Sequence, residues 1–509
     1  MAARSPVRFR IKGTSVYVEP RASSAYETTG TGRRSVAMRA SNFGPNAALD
    51  YASDSLRAQA READRKNGLA KTIADRLTAN IVGTGIMPQP KSARARTLWA
   101  QWTDEATTDG TLDFYGLQAQ IARALVVSGE CFVRFRSRRP DDGMSVPLQL
   151  QVLESDHVPM DKNETLPAGR GWIRQGIEFN PIGQRTAYWM YRQHPSDRQV
   201  LETFDTIPVR VPASEVLHVY DAVSARPGQV RGIPWITPAL AKLKDLDAYD
   251  DAELMRKKVA AMFVGSIKRT APNGATLEEL QEIWGDSAEI EDGVGGVTSE
   301  PGSMNILDVG EEMEWNNPQD VGGQYEVYKR DQHRLISAFC GLLYEQLTGD
   351  FGNLNDRTWR AAMNEFKRRV GMWQHHIIAF QFCRPVWSRW SAMARLTGAL
   401  RPAEAQASVP WVPEAWAYIH PVQDLQAHEM EMRIGLASRS QKASERGLDA
   451  AEIDAEQAED NRRADGLGLK YDSDGRQKKG GGVEPKAEGG QPASDEEDEQ
   501  QGGQERRAA

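Results

Sequence analysis

The stretch TPALAKLKDLDAYDDAELMRKKVAAMF, residues 237–263, decides the fold because its pattern is that of one long amphipathic helix. Leucines and an aromatic residue follow one face of that helix, namely Leu240, Leu243, Leu246 and Tyr249. Acidic residues fill the other faces and basic residues come last, an order that the helix dipole favours. At 1.5 Å per residue the helix would be roughly 40 Å long.

A second long helix is predicted over residues 320–342, where the residues of one face recur at spacings of three and four. These residues are Tyr325, Tyr328, Gln332, Leu335, Phe339 and Leu342. Residues 264–318, which separate the two helices, lose this period and gain glycine and proline. We expect a small α+β insertion there, bracketed by two long helices that form an antiparallel hairpin.

The N-terminal half changes character several times. Residues 1 to about 40 are rich in Ser, Thr, Gly and Arg without a clear period, which predicts a flexible arm. Two helices are expected between residues 46 and 80. A helix over 114–127 leads into alternating, β-rich runs, so residues 115–222 should form a sheet-containing domain. The segment 180–183, Asn-Pro-Ile-Gly, predicts a hairpin turn within it.

The C-terminal part is predicted to be helical and then disordered. A long helix begins near Trp359 and carries an apolar stripe of the coiled-coil type until Pro385 interrupts it. Residues 420–465 form another helical, charge-rich stretch. From residue 466 onward Gly, Glu, Asp and Gln dominate, which is typical of a disordered acidic tail. The fold class expected from these patterns is α+β and predominantly helical.

The bulk composition excludes several classes of protein. The 509 residues contain three cysteines more than 40 positions apart, so the sequence encodes neither a disulfide framework nor a zinc knuckle, and a reducing compartment is expected. No run of 18 apolar residues is present, so we expect no membrane span. The formal net charge of −8 argues against a protein that grips nucleic acid over a broad surface, so any contact with DNA should be loose.

The segment LTGDFGNLNDRTW, residues 347–359, contains an Asp-Phe-Gly triplet that resembles the magnesium-binding loop of protein kinases. A kinase also needs a glycine-rich loop and a catalytic His-Arg-Asp, and this sequence has neither. The adjacent His375 and His376 point about 100° apart on a helix and cannot share an ion. His428 and Glu429 begin a zinc-protease motif, but Met432 takes the second ligand position. We therefore expect no catalytic residue, no metal and no cofactor.

An acidic run on the first long helix admits three interpretations; its members are Asp245, Asp247, Asp250, Asp251 and Glu253. Paired carboxylates can bind magnesium, so a nuclease is one candidate. These five side chains diverge round the helix, however, and a solvated face is the commoner explanation. A ring of such helices would make a negatively charged bore that repels phosphate and lets a duplex move without sticking.

Residues 226–267, RPGQVRGIPWITPALAKLKDLDAYDDAELMRKKVAAMFVGSI, closely resemble the lambda-type portal proteins of tailed bacteriophages. Four further segments resemble the same family in the same order, over about residues 40–460. They are NFGPNAALDYASDSLRAQAR, NGLAKTIADRLTANIVGTGI, VPASEVLHVYD and YEQLTGDFGNLNDRTWRAA. Several motifs in register are more specific than any one of them.

The resemblance implies a non-enzymatic protein that forms a twelve-fold ring at one capsid vertex. It divides the chain into a wing (41–233), two stem helices that line a channel (234–263 and 319–342), a clip (264–318), a tunnel loop (343–358) and long wing or crown helices (359–465), with the crown beyond Pro385. The tunnel loop should approach DNA without reading its bases. Its residues are Gly349, Asp350, Phe351, Gly352, Asn353, Leu354 and Asn355. Phe351 could instead pack on a neighbouring subunit.

The implied partners are further copies of the chain, double-stranded DNA, the terminase large subunit, the major capsid and scaffold proteins, and head-completion or connector proteins. ATP hydrolysis would belong to the terminase. The protein would be found in the virion after assembly in the host cytoplasm. A magnesium-dependent nuclease and another non-enzymatic capsid or connector component remain the alternatives.

Overall fold

The computed structural model describes residues 43–196, 207–262, 324–352, 354–417 and 421–471, together with strands at 7–11, 14–18, 266–269 and 311–314 and residue 476. The chain divides into two units, residues 1–426 and 427–509. Most of the predicted clip, and Asn353 of the predicted tunnel loop, lie outside the described residues. None of the described helices combines the length and the apolar character needed to cross a bilayer.

Helices make up most of the described chain. They are α1 (Pro45–Lys66), α2 (Gly68–Val82), α3 (Ala93–Glu105), α4 (Phe114–Val127), α5 (Thr237–Met262), α6 (Gln324–Cys340), α7 (Tyr344–Thr348), α8 (Asp356–Trp373), α9 (Arg384–Leu396), α10 (Pro421–Arg433), α11 (Arg439–Glu445) and α12 (Ala450–Leu467). Local signals begin several of them, because the side chains of Asn67, Ser92, Asp113 and Asn355 accept hydrogen bonds from backbone N–H groups of the first turn. Helices are present where they were predicted at 46–80 and 114–127, and the described parts of the predicted helices 237–263 and 320–342 are helical over Thr237–Met262 and Gln324–Cys340, while residues 263 and 320–323 lie outside the described residues.

The strands form two larger antiparallel sheets and three small pairs. They are β1 (Val7–Ile11), β2 (Thr14–Val18), β3 (Met87–Pro88), β4 (Glu130–Ser137), β5 (Leu148–Glu154), β6 (Glu164–Thr165), β7 (Trp172–Arg174), β8 (Ile177–Phe179), β9 (Arg185–Met190), β10 (Val209–Pro212), β11 (Val216–Tyr220), β12 (Ser266–Arg269), β13 (Glu311–Glu314) and β14 (Trp411–Val412). The sheet orders are β11-β4-β5 and β10-β9-β8-β7-β6, and the pairs are β1-β2, β12-β13 and β3-β14.

The β-rich prediction for residues 115–222 is confirmed, and so is its turn. Between β8 and β9 the N–H of Gly183 donates to the carbonyl of Asn180, and the side chain of Asn180 accepts from the N–H of Gln184. The hairpin β1-β2 lies inside the segment predicted as an arm without regular structure. Its alternating Val7, Phe9 and Ile11 carried that signal in the sequence.

A cluster of tryptophans joins distant parts of the first unit. The ring centroid of Trp99 on α3 lies 4.9 Å from that of Trp102 and 5.0 Å from those of Trp387 and Trp390 on α9. All four side chains are buried. Helix α3 was not predicted from the sequence. The crown assignment beyond Pro385 stays a prediction, but α9 contributes to the core of the first unit.

The expected interruption at Pro385 is wrong, because helical backbone continues from α8 through a π-helical segment, Gln374–Cys383, into α9. At its end the N–H of Arg384 donates to the carbonyl of Ala379, five residues earlier. A π-turn is wider than an α-turn and shifts the hydrogen-bond register. Pro385 thus lies inside a continuous helical run, two residues after the π-helical segment, and the shifted register there accommodates a residue that has no N–H to donate.

Candidate channel-forming elements

Helices α5 and α6, the predicted stem, pack against each other through an aromatic and ionic contact. The ring of Tyr249 lies 4.9 Å from that of Tyr328 and 5.9 Å from that of Tyr325. The carboxylate of Asp250 accepts hydrogen bonds of 2.8 Å from the hydroxyl of Tyr325 and from Nζ of Lys329. Partial burial opposes its ionisation, but these two donors outweigh it and hold the pKa of Asp250 below its ordinary value.

The five acidic residues of α5 do not share one environment. Asp250 is taken up by the contact with α6, and Glu253 is buried and pairs with Arg256 at 2.7 Å. Asp247 accepts a hydrogen bond of 2.7 Å from the side chain of Asn67. Asp245 and Asp251 are exposed. Two-metal nuclease chemistry would require the carboxylates to converge on one point, and these carboxylates do not.

A different group in the described part of the chain brings metal-type ligands together, namely Glu154, Asp156 and His194. The guanidinium of Arg61 lies 3.1 Å from the carboxylate of Glu154 and also bonds that of Asp156. Burial opposes the charge of Asp156, but the hydrogen bond from Arg61 outweighs it and lowers its pKa. Arg61 thus pairs with both carboxylates, and Arg57 lies 4.0 Å from that of Asp156, so these residues are better explained as an ion-pair cluster than as a metal site.

The segment predicted as the tunnel loop, residues 343–358, contains the short helix α7 and the first residues of α8, and the turn between these helices is held by its own hydrogen bonds. Gly349 has φ 72°, and the carboxylate of Asp350 accepts from the N–H of Gly352 at 3.2 Å and from the hydroxyl of Tyr344 at 3.1 Å. These donors, the backbone N–H first, lower the pKa of Asp350. The Asp-Phe-Gly triplet is therefore a local turn, and it belongs to none of the metal-type groups among the described residues.

Phe351 of the same loop is 57% exposed, and its ring meets that of Trp359 edge-on at 5.9 Å. Leu354 is half-buried, and Asn355 caps α8 by accepting from the N–H of Arg357. The loop thus presents a largely exposed aromatic side chain that contacts Trp359 of α8. Both interpretations of Phe351, contact with DNA and contact with a neighbouring subunit, stay open.

A buried ionic cluster, which the sequence reasoning missed, lies where the β-rich domain meets the chain leading into α5. Glu130 and Arg231 are both 0% exposed and lie 2.7 Å apart. The carboxylate of Glu130 accepts from Ser155 Oγ at 2.6 Å, Arg231 Nε at 2.7 Å, the N–H of Gly232 at 2.8 Å and His218 Nε2 at 2.9 Å. We call Glu130, Ser155, His218 and Arg231 the joint cluster.

Every donor of Arg231 is used within the joint cluster and its surroundings. Besides Glu130, the guanidinium donates to the carbonyls of Val158, Gln175 and Ser155 and to Ser155 Oγ. Burial opposes the charge on Glu130, but Arg231 and the other donors outweigh it and hold its pKa well below its ordinary value. A buried charge of this kind is tolerated because it is paired and fully hydrogen-bonded.

His218 is the neutral member of the joint cluster. Arg185 can only donate, and its Nη1 lies 3.0 Å from His218 Nδ1, so Nδ1 accepts and Nε2 carries the proton donated to Glu130. Burial is the main effect that lowers the pKa of His218, and the positive charge of Arg185 lowers it further. The hydrogen bond to Glu130 acts in the opposite direction but is outweighed, so the pKa is about 4. The ring is therefore uncharged at neutral pH.

Two glycines allow the strand and the segment before α5 to touch. A Cβ on Gly129, whose φ is +86°, would lie 2.2 Å from the carbonyl carbon of Ile233. A Cβ on Gly232 would lie 2.1 Å from the carbonyl oxygen of Gly129. Real Cβ atoms do not approach backbone this closely, so the two chain segments meet only because both positions are glycine. The joint cluster and these glycines fix where α5 begins relative to the β-rich domain.

The comparison with known proteins identifies the class. A family model described as phage portal protein, lambda family, matches residues 31–374, more than half of the chain, so this chain belongs to that family. It has a capsid portal role and is a structural, non-enzymatic component of the phage head. The family assignment also supports a homo-oligomeric ring within a phage particle.

Individual relatives are distant. The probable portal protein of Halomonas phage phiHAP-1 is 24% identical over 440 residues, which cover 82% of each chain. Portal protein B of Escherichia phage lambda is 24% identical over 322 residues, which cover 58% of this chain and 59% of that protein. Among solved structures, a chain in the neck of an empty gene transfer agent particle matches with a TM-score of 0.44 and 14% identity, covering 78% of this chain and 94% of that one.

Proposed function

We propose that twelve copies of this chain form the portal ring, with α5 and α6 as the stem around a channel for double-stranded DNA. In this proposal the loop at 343–358 narrows the channel, residues 264–318 form the clip, and the terminase large subunit supplies the ATP-driven force. Major capsid, scaffold and head-completion proteins would meet the ring from outside. Assembly would take place in the host cytoplasm before the ring enters the virion.

The observation that carries the ring proposal is a partly exposed apolar face on the stem helices. Tyr328, Leu335 and Phe339 of α6 are 44%, 43% and 43% exposed, although the ring of Tyr328 also lies 4.9 Å from that of Tyr249 on α5. Their spacing of seven and four residues places all three on one helix face. On α5, Leu254 and Met255 are also exposed. Single exposed apolar side chains are ordinary, but a row along a helix marks a surface that another protein covers.

A second copy is the occupant that fits this face in a ring. Each subunit of a ring presents one surface to the next, and the contact closes when the rotation between neighbours is a whole fraction of a turn. The apolar side chains of this face would then be buried against the neighbouring subunit, and no other protein would be needed to cover them. Asp245 and Asp251, exposed on the other helix of the stem, would face the bore or its edge and repel phosphate. Weak attachment is what a conduit for any DNA sequence requires.

The experiment compares two triple variants by mass photometry and negative-stain electron microscopy. The first variant combines Tyr328→Ser, Leu335→Ser and Phe339→Ser. The matched control replaces exposed apolar residues elsewhere, by Ile182→Ser, Ile207→Ser and Leu396→Ser. We expect rings from the unmodified chain and from the control, and small species from the stem variant. A compact, monodisperse monomer of the unmodified chain would refute the proposed function.

A further inference from the structure

The exposed face of α8 carries a row of basic side chains in a chain whose overall charge is negative. Helix α8 contains five basic and two acidic residues, against a net charge of −8 for the whole protein. Its buried side is formed by Phe366, Val370 and Trp373. At 100° per residue, Arg357 and Arg368 lie on the opposite side within about 20° of each other, with Arg360 at the border of that face.

These three arginines, Arg357, Arg360 and Arg368, are called here the arginine row. Within the described part of the chain, none of them lies within 4.0 Å of a carboxylate. Arginines on neighbouring α6 behave differently, because Arg330 pairs with Glu326 and Arg334 with Asp331. The acidic residue of α8 beyond its first turn, Glu365, stands at the edge of the exposed face. The row therefore carries positive charge that forms no ion pair among the described residues, although Asp356 stands four residues before Arg360 and Glu365 three before Arg368.

The other two basic residues of α8 have local tasks. Lys367 lies over the ring of Trp416 at 5.5 Å, and the guanidinium of Arg369 lies against the turn at Gly341. Packing on the protein's own surface explains both side chains. Within the part of the chain that the structure describes, no such packing is seen for Arg357 or Arg368, which are exposed.

The row also begins where a helix least favours positive charge. Arg357 stands in the first turn of α8, just after the cap residue Asn355. The first turn carries the positive end of the helix dipole, so basic side chains there are disfavoured and acidic ones favoured. The same turn also holds Asp356, whose charge complements the dipole.

We propose that the arginine row contacts the phosphate backbone of duplex DNA. The inference rests on the proposed function and adds to it the surface that touches the DNA. From Arg357 to Arg368 the helix rises by roughly 16 Å. Phosphates of one DNA strand recur about every 3.4 Å along the duplex axis, so the row can face several of them. Helix α8 begins inside the segment 343–358 that is proposed to narrow the channel, and Arg357 belongs to both.

This interaction differs from sequence recognition. Arginine–phosphate pairs release condensed counterions and give binding that weakens with salt but does not depend on base sequence. The three arginines of each subunit would make a loose contact with the duplex, while the exposed acidic residues of α5 keep it from sticking along the stem. An acidic protein surface, including one on a neighbouring copy, is the other anionic partner that the test must exclude.

The experiment measures binding of a fluorescent duplex of about 30 base pairs to the full-length oligomer by anisotropy, over a series of salt concentrations. One variant combines Arg357→Gln, Arg360→Gln and Arg368→Gln. The control removes the same charge from exposed arginines on α2, α3 and β7, by Arg76→Gln, Arg94→Gln and Arg174→Gln.

We expect the row variant to bind the duplex at least tenfold more weakly than the unmodified chain. The slope of log K against log salt should become shallower by about 0.9 for each phosphate that the variant no longer neutralises. The control should match the unmodified chain in both affinity and slope.

Equal DNA affinity of the row variant and the control would overturn the inference. So would rings of the unmodified chain that show no affinity for the duplex at low salt. If the row variant fails to form rings while the control forms them, the row lies against an acidic surface of another copy, which also overturns it. Failure of the unmodified chain to form rings is a separate result, because it refutes the proposed function itself.

Discussion

Replacing Glu130 by Gln should destabilise the protein strongly, because it leaves the buried guanidinium of Arg231 without a counter-charge. The glutamine keeps the shape of the side chain but turns one of two acceptor oxygens into an N–H donor. In the structure these two oxygens accept four hydrogen bonds from Ser155, Arg231, His218 and Gly232. The variant therefore sets donors against donors at a site that water does not reach.

The magnitude follows from the burial of the pair. Removing one partner of a buried ion pair costs about 3–5 kcal/mol. For a domain of a few hundred residues, 1 kcal/mol corresponds to roughly 2–4 °C in the melting temperature. The melting temperature of the unit that contains Glu130 should therefore drop by roughly 6–20 °C. The control is Glu326→Gln, whose carboxylate pairs with Arg330 at 2.7 Å on the exposed surface of α6. Exposed pairs contribute about 0–1 kcal/mol.

The assay is thermal unfolding of both variants at neutral pH, followed by tryptophan fluorescence, since the tryptophan cluster reports on the first unit. If Glu130→Gln yields no soluble protein, Arg231→Lys provides a milder test, because lysine keeps the charge but cannot reproduce the five donors of an arginine in fixed geometry. Melting temperatures of Glu130→Gln and Glu326→Gln that agree within about 2 °C would refute the reasoning about the joint cluster.

Three further predictions concern pH, backbone packing and charge. In the folded protein the pKa of His218 is about 4, below its ordinary value of 6.5. Its contribution to the free energy of unfolding should therefore be fully present above pH 6.5 and be lost as the pH falls toward 4. The loss is roughly 3 kcal/mol near pH 4, and His218→Gln should flatten the curve of melting temperature against pH. Gly129→Ala should lower the melting temperature by more than Gly68→Ala, since a Cβ at Gly68 meets nothing within 4 Å. Replacing Asp245 and Asp251 together by Lys should leave ring mass unchanged and slow DNA packaging.

Each of these predictions has an outcome that would count against it. A pH curve unaffected by His218→Gln would show that other groups carry the acid sensitivity. Equal melting temperatures of the two glycine variants would mean that the chain at residue 233 can move away at no cost. For the stem, the control is Asp141→Lys with Asp161→Lys, which adds the same charge on exposed loops of the β-rich domain. Packaging that is normal in both charge variants would reject a repulsive bore.

Much of the fold could be predicted because its signals act over a few residues. The helix Phe114–Val127 has the predicted bounds, and Asp113 caps it by accepting from the N–H of Gly116. The turn after β8 was encoded locally. The side chain of Asn180 accepts a backbone hydrogen bond, and Gly183 supplies the backbone freedom that the turn needs. By contrast α3 was missed, since its few apolar residues serve a tryptophan cluster assembled from far along the chain.

The candidate site was predicted only in outline. The two long helices around an insertion were expected, but Asp250 and Glu253 face ion-pair partners rather than open solvent. Helix α6 decides which side of α5 is covered. It lies far along the chain, since Lys329 follows its partner Asp250 by almost 80 residues. The helix was expected to be interrupted at Pro385 because proline breaks the interior of an α-helix. The π-turn that accommodates the proline has no simple sequence signature.

The sequence by itself determined the helices, their caps and turns, and, through several motifs in one order, the portal family. Only the tertiary structure decided which charged side chains form ion pairs inside the molecule and which remain exposed for a partner. Glu130 and Arg231 stand 101 positions apart and meet in the dry interior, whereas the arginine row of α8 forms no ion pair among the described residues. Local propensity reaches across a few residues, but the environment of a charge is set by whatever the folded chain brings next to it.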